Sequence, residues 1–122
     1  MTERTERKPL RMAVEEAREV YDRGGALVLD VVDAGAYPHV THEIQGAERI
    51  DPDDIEAVYR RLPEARTILT YCTCDNDEIS ARVAYFLRKK GYDAYAIEGG
   101  LSAWQEAGCP VAEKEWETQS AN

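Results

Sequence analysis

Apolar residues along the chain recur with two different periods. Leu10, Ala13, Val14, Ala17, Val20 and Tyr21 step by three and four, the spacing of one helix face, and Gly24-Gly25 stops the pattern. This predicts a first helix from Leu10 to Tyr21. Ala26-Leu27-Val28-Leu29-Asp30-Val31-Val32 follows as a continuous apolar run with one acid, the pattern of a strand buried on both faces. Asp30 is therefore an embedded carboxylate that needs partners. Residues 33–50 keep no period and hold Gly35, Pro38 and Gly46, so they read as loop. Asp51-Pro52-Asp53-Asp54 then opens a helix. Asp51 suits the cap, Pro52 the first helical position and the acids the dipole, and Ile55, Val58, Tyr59 and Leu62 form the buried stripe up to Pro63. Thr67 to Tyr71 is a strand, Ile79 to Lys90 a helix closed by Gly91, and Tyr92 to Ile97 a further strand. Gly99-Gly100 turns the chain into a short helix from Leu101 to Ala107, which Gly108 ends.

Helices and strands alternate, so consecutive strands are most simply parallel, with right-handed crossovers and helices on both faces. The expected class is α/β in three layers, α/β/α, around a mostly parallel sheet. Residues 1–9 are polar and read as a loose leader, 10–111 as one domain, and 112–122 as a polar tail. Reactive loops in such sheets lie beyond the carboxyl ends of the strands.

Cys72 stands at such an end. It closes Thr67-Ile68-Leu69-Thr70-Tyr71 and opens the segment that runs into the helix at Ile79. The unpaired N–H groups at a helix start carry partial positive charge and lower a cysteine pKa, so a thiol there is a candidate nucleophile. Asp75, Asp77 and Glu78 oppose that effect, because nearby carboxylates favour the protonated thiol. Burial as a small apolar side chain is the commoner fate of a free cysteine. Position at a strand end and at a helix start favours the reactive reading.

Net charge is −9, from 15 Lys and Arg against 24 Asp and Glu, which disfavours nucleic acid and anionic membranes as partners. A protein partner with a basic patch fits better. No run approaches the roughly 20 apolar residues of a membrane helix, and no apolar signal core follows the polar N-terminus, so a cytoplasmic location is expected. The three cysteines lack paired metal-ligand spacing and are expected as reduced thiols, with no cofactor. A disulfide between Cys72 and Cys74 would be cramped, so Cys74 reads as a loop residue, with a resolving thiol as the alternative. Cys109, between Gly108 and Pro110, reads as packing.

Together the residues resemble the rhodanese-like domain, a sulfurtransferase family, from about Leu27 to Val111. The likeness rests on Val28-Leu29-Asp30-Val31, on His42-Glu43-Ile44-Gln45-Gly46-Ala47, and on Tyr71-Cys72. Ser80-Ala81-Arg82, Leu87 to Tyr92, Glu98-Gly99-Gly100-Leu101, Ala103-Trp104 and Ala107 to Val111 carry it further. The resemblance implies that Cys72 accepts a sulfane sulfur as a persulfide and passes it to a thiol acceptor. Thr73, Cys74, Asp75, Asn76, Asp77, Glu78 and Ile79 would then form the amide cradle around the sulfur. The donor would be a small sulfane-sulfur compound or a persulfidated protein.

Two departures qualify that expectation. The family loop places five residues, including a Gly and an Arg, between the cysteine and the following Ser. Here seven, Thr73 to Ile79, precede Ser80 and none is Arg or Lys. Thiosulfate, a dianion, would meet carboxylates where the family supplies a guanidinium, and is disfavoured as donor. The same lack of a positive fork disfavours a phosphatase or arsenate reductase. A non-catalytic module that binds a protein through the acidic loop is the main alternative. His42 carries an extra neighbour, Glu43, relative to the family segment, and reads as a loop histidine that fixes backbone rather than as a base for Cys72. Asp77 and Glu78 read either as loop acids facing the sulfur or as helix caps turned toward solvent.

Overall fold

The computed structural model describes residues 8–73 and 77–114. The chain order is β1 (Arg11–Met12), α1 (Val14–Asp22), β2 (Ala26–Asp30), β3 (His42–Ile44), β4 (Glu48–Arg49), α2 (Ile55–Val58), β5 (Thr67–Tyr71), α3 (Glu78–Lys89), β6 (Asp93–Ile97), α4 (Gly100–Glu106) and β7 (Val111–Glu113). Short 3-10 turns cover Tyr37–His39, Pro52–Asp54 and Tyr59–Arg61.

Five strands form the central sheet in the order β1-β6-β5-β2-β4, and every neighbouring pair is parallel. Ala26 to Asp30 of β2 runs in register with Thr67 to Tyr71 of β5, so Asp30 and Tyr71 finish side by side at the carboxyl edge. Alternate residues of the central strands enter two different cores. Leu29, Ile68, Ala94 and Ala96 pack with Ile55, Leu62, Ala81, Val83, Ala84 and Leu87 beneath α2 and α3. Val28, Leu69, Tyr95 and Ile97 pack with Ala17, Leu101 and Trp104 beneath α1 and α4. A strand whose two faces are both covered has no polar face to show, which is why β2 and β5 do not alternate polar with apolar. The architecture is three-layer α/β/α.

Several local expectations change. Leu10, Arg11 and Met12 are not the first turn of a helix. Ala96 N–H donates to Leu10 O and Glu98 N–H to Met12 O, so this stretch extends the sheet beside β6, and α1 starts at Val14. The open edge of β6 needs main-chain partners, and that need overrides a helical spacing that continues backward by chance through Leu10 and Ala13. Within 33–50, read as loop, β3 and β4 flank a turn at Gly46, where φ is +86°. β3 pairs antiparallel with β7, which draws Ala112 and Glu113 out of the predicted tail. Strands of two or three residues carry no period of their own. The helix opened by Asp51 forms as a 3-10 turn, a short α-segment and a second 3-10 turn, with Asp51 Oδ1 accepting from Asp53 N–H at 2.9 Å. None of the described helices is long and apolar enough to cross a membrane.

Candidate active site

Cys72 follows the last residue of β5, at the carboxyl edge of the sheet, and is only 1% exposed. Its thiol lies 3.5 Å from Ser80 Oγ and donates toward it. Ser80 is the third residue of α3, so the sulfur stands beside the first turn of a 12-residue helix, where N–H groups lack intrahelical partners. Ser80 is itself fixed from two sides. Its hydroxyl donates to Asp77 O at 3.1 Å, and its own carbonyl accepts from Thr70 Oγ1 at 2.8 Å.

The main chain of Cys72 is held by the Gly99-Gly100 turn. Leu101 N–H donates to Cys72 O at 3.2 Å. Gly100 has φ +60°, and a Cβ there would lie 2.3 Å from Cys72 O, a contact no side chain can make. At Gly99, φ is +81° and a Cβ would lie 2.6 Å from that of Ala103. Two consecutive glycines let α4 start directly against the cysteine backbone.

Asp77 departs from the reading as a helix cap turned toward solvent. It is a non-glycine residue with φ +47°, it is 4% exposed, and it occupies the N-cap position of α3 without capping it. Its Oδ1 accepts from Arg11 Nε at 2.8 Å and its Oδ2 from Gly99 N–H at 2.8 Å. The carboxylate is thus turned inward, against the expectation of a cap facing solvent, and one of the loop acids is neutralised by an arginine 66 residues away in sequence. Glu78 does face solvent, Thr73 is exposed, and Ile79 packs on the core beneath α3. Cys74, Asp75 and Asn76 lie outside the described residues.

Beside the cysteine a buried network secures the strand ends. Asp30, 2% exposed, accepts from Val32 N–H at 3.1 Å and from Tyr71 OH at 3.0 Å, and Arg49 Nη1 lies 3.5 Å from its Oδ1. Tyr71 OH in turn accepts from Ile44 N–H at 3.1 Å. Burial pushes the Asp30 carboxyl above its ordinary value, partly offset by the bonds from Val32 and Tyr71 and by the Arg49 charge. Burial, with the Asp30 charge next, raises the Tyr71 phenol as well, so it stays protonated and donates. The embedded acid read from the sequence therefore locks β2, β4 and β5 where Cys72 emerges. His42, on β3, has Nδ1 3.0 Å from Thr41 Oγ1. Among the described residues no group of three His, Cys, Asp or Glu side chains is placed to hold a metal ion.

The sequence brought Cys72 forward but missed Arg11, Ser80 as its hydrogen-bond partner, and the close approach at Gly100. Ser80 and the glycine pair carried signals, a hydroxyl at the start of a helix and two adjacent glycines. Arg11 carried none, because its partner is set by strand order.

A parallel three-layer α/β domain with a cysteine at the carboxyl end of its central strand, facing a helix start, defines a class. The chain belongs to the rhodanese-like domain family, which matches residues 13–107. It is 30% identical over 95 residues to thiosulfate sulfurtransferase GlpE of Pseudomonas putida (strain GB-1), covering 78% of this chain and 84% of that protein. Among solved structures, a rhodanese-related protein from Thermoplasma volcanium superposes with a TM-score of 0.71 at 21% identity, over 85% of this chain and 98% of its own. A rhodanese homolog from Thermus thermophilus gives 0.62 at 29% identity, over 77% and 99%.

Proposed function

We propose that the protein is a sulfurtransferase that carries sulfane sulfur as a persulfide on Cys72. The observation that carries this reading is the placement of the Cys72 sulfur beside Ser80 in the first turn of α3, at the edge of a rhodanese-like sheet. The Cys72 thiolate attacks the outer sulfur of a persulfide donor, R–S–SH. A bond forms from Cys72 Sγ to that sulfur, the donor's S–S bond breaks, and the donor leaves as a thiolate with the electron pair. An acceptor thiolate then attacks the sulfane sulfur and releases Cys72 as thiolate, so no net oxidation occurs. Helix-start N–H groups, and the Ser80 hydroxyl once its proton swings from Asp77 O to the ionised sulfur, stabilise negative charge on sulfur in both steps, and no general base is needed once the thiol is ionised.

Persulfidated small thiols or proteins suit this site better than thiosulfate, since Thr73 to Ile79 contains no Arg or Lys. An acceptor protein with a basic surface suits the net charge of −9. The test is incubation with glutathione persulfide, cysteine persulfide and thiosulfate in turn, followed by intact-mass analysis before and after cyanide. Wild type is expected to gain one cyanide-labile sulfur from the persulfides, and Cys72→Ala none. Equal loading of the two proteins, or none of wild type with any donor, would end this reading.

A second reading, a non-catalytic interaction module, is favoured by the near-complete burial of Cys72. A groove of about 270 Å³ next to the loop, with Ile55, Ile79, Val83 and Phe86 as apolar lining and Arg82 among the acids Asp33, Asp53 and Glu56, would supply the contact surface. Under that reading Cys72→Ala keeps partner binding and cellular function intact.

A further inference from the structure

An aspartate at a helix N-cap ordinarily accepts from the second or third N–H of the helix. Asp77 holds that position at the start of α3 and makes no such bond. Its two oxygens are occupied instead by Arg11 Nε and Gly99 N–H, each at 2.8 Å, and its backbone is held at φ +47°, a conformation that a non-glycine residue keeps only when its surroundings impose it. The group that does stand at the helix start is the Cys72 sulfur, 3.5 Å from Ser80 Oγ in that first turn.

We propose that Arg11 is a positioning residue for Cys72: by drawing the Asp77 carboxylate to β1 and the Gly99 turn, it keeps a competing anion off the start of α3 and leaves that place to the sulfur. A carboxylate and a thiolate compete for the same donors and the same dipole, and both cannot occupy one helix start without repulsion. Arg11 reaches the loop because β1 adds to the free edge of β6, with Met12 beside Ile97 and therefore close to the Gly99 turn. The loop thus receives the guanidinium its own sequence lacks, and the Nε of that guanidinium places an acid. The idea rests on Cys72 being the reactive sulfur proposed above, yet it can be tested without any sulfur transfer.

The test is the rate and pH profile of Cys72 alkylation by iodoacetamide, followed by peptide mapping, in a double-mutant cycle of Arg11→Met and Asp77→Gly. Arg11→Met is expected to free the carboxylate to cap α3, slowing Cys72 alkylation at neutral pH about tenfold, the factor for one helix-cap interaction, and moving its pH profile upward. Arg11→Lys should restore most of the rate, since an ammonium still pairs with Asp77 Oδ1. In the Asp77→Gly background, where glycine accepts the positive φ and position 77 carries no carboxylate, Arg11→Met should change the rate by less than about twofold. Thermal midpoints recorded alongside show that each variant is folded. An equal effect of Arg11→Met in both backgrounds would mean that Arg11 acts on the sulfur directly, and no effect in either would mean a merely structural contact. Both overturn the proposal. Persulfide loading that fails while the alkylation cycle shows coupling would sink the transfer reading alone.

Discussion

Gly100→Ala separates two costs that usually come together, the strain of a positive φ and the loss of close approach. Gly108, with φ +76° and nothing within 4 Å of the place a methyl would occupy, meets only the first. Gly100, with φ +60°, meets both, because its Cβ would fall 2.3 Å from Cys72 O. An alanine in the left-handed region costs about 1–2 kcal/mol. At Gly100 the backbone must also shift, which breaks the Leu101 N–H bond to Cys72 O and leaves a buried carbonyl unpaired, about 1–3 kcal/mol more. Urea denaturation should therefore place Gly108→Ala about 1–2 kcal/mol below wild type and Gly100→Ala about 2–5 kcal/mol below it, or roughly 8–20 °C in thermal midpoint for a domain of this size. Because the displaced atom belongs to Cys72, alkylation of that thiol should change in Gly100→Ala and stay at the wild-type rate in Gly108→Ala. Equal stabilities for the two variants would refute the argument, since their φ values are alike and only the neighbouring carbonyl distinguishes them.

Ser80→Ala removes the hydroxyl that turns its proton from Asp77 O to the ionised Cys72 Sγ, and should slow alkylation at neutral pH by about three- to tenfold, with the thermal midpoint changed by only a few degrees; an unchanged rate would remove Ser80 from the site. Tyr71→Phe leaves the Ile44 N–H and one Asp30 oxygen without their phenol partner, so a loss of about 2–3 kcal/mol is expected by urea denaturation, and a loss below about 0.5 kcal/mol would contradict the network. Asp30 titrates higher folded than unfolded, so its contribution to stability is fully present below its ordinary pKa of 3.8 and is lost as pH rises through the raised folded value. The stability difference of wild type over Asp30→Asn should accordingly shrink as pH is raised from about 4 to about 7, and a difference that grows over that range would reverse the sign.

Cys72, the sulfur on which the reading turns, was legible because it breaks a local pattern, the end of an apolar run at the start of a helical one. Asp30 was legible as an acid inside such a run, and the structure supplies Tyr71, Val32 and Arg49 as its partners. Asp77 was misread because its side chain answers to Arg11 and Gly99, which no local spacing connects. β1 and β7 were misread for the same reason, each being too short to carry a period and existing only because a distant edge needs hydrogen bonds.

The linear order of apolar and polar residues was enough for the layering of the domain, the two-sided burial of β2 and β5, and the position of one cysteine between a strand and a helix. These follow from periodicity, because the spacing of apolar residues marks which faces of an element are buried, whatever covers them. Which charges meet is a matter of packing in three dimensions. That packing set Arg11 on Asp77, Ser80 on Cys72 and Gly100 against the cysteine carbonyl. The order of parallel strands is fixed by crossovers rather than by adjacency, so the surroundings of the sulfur are written in the sheet and not in the loop that carries it.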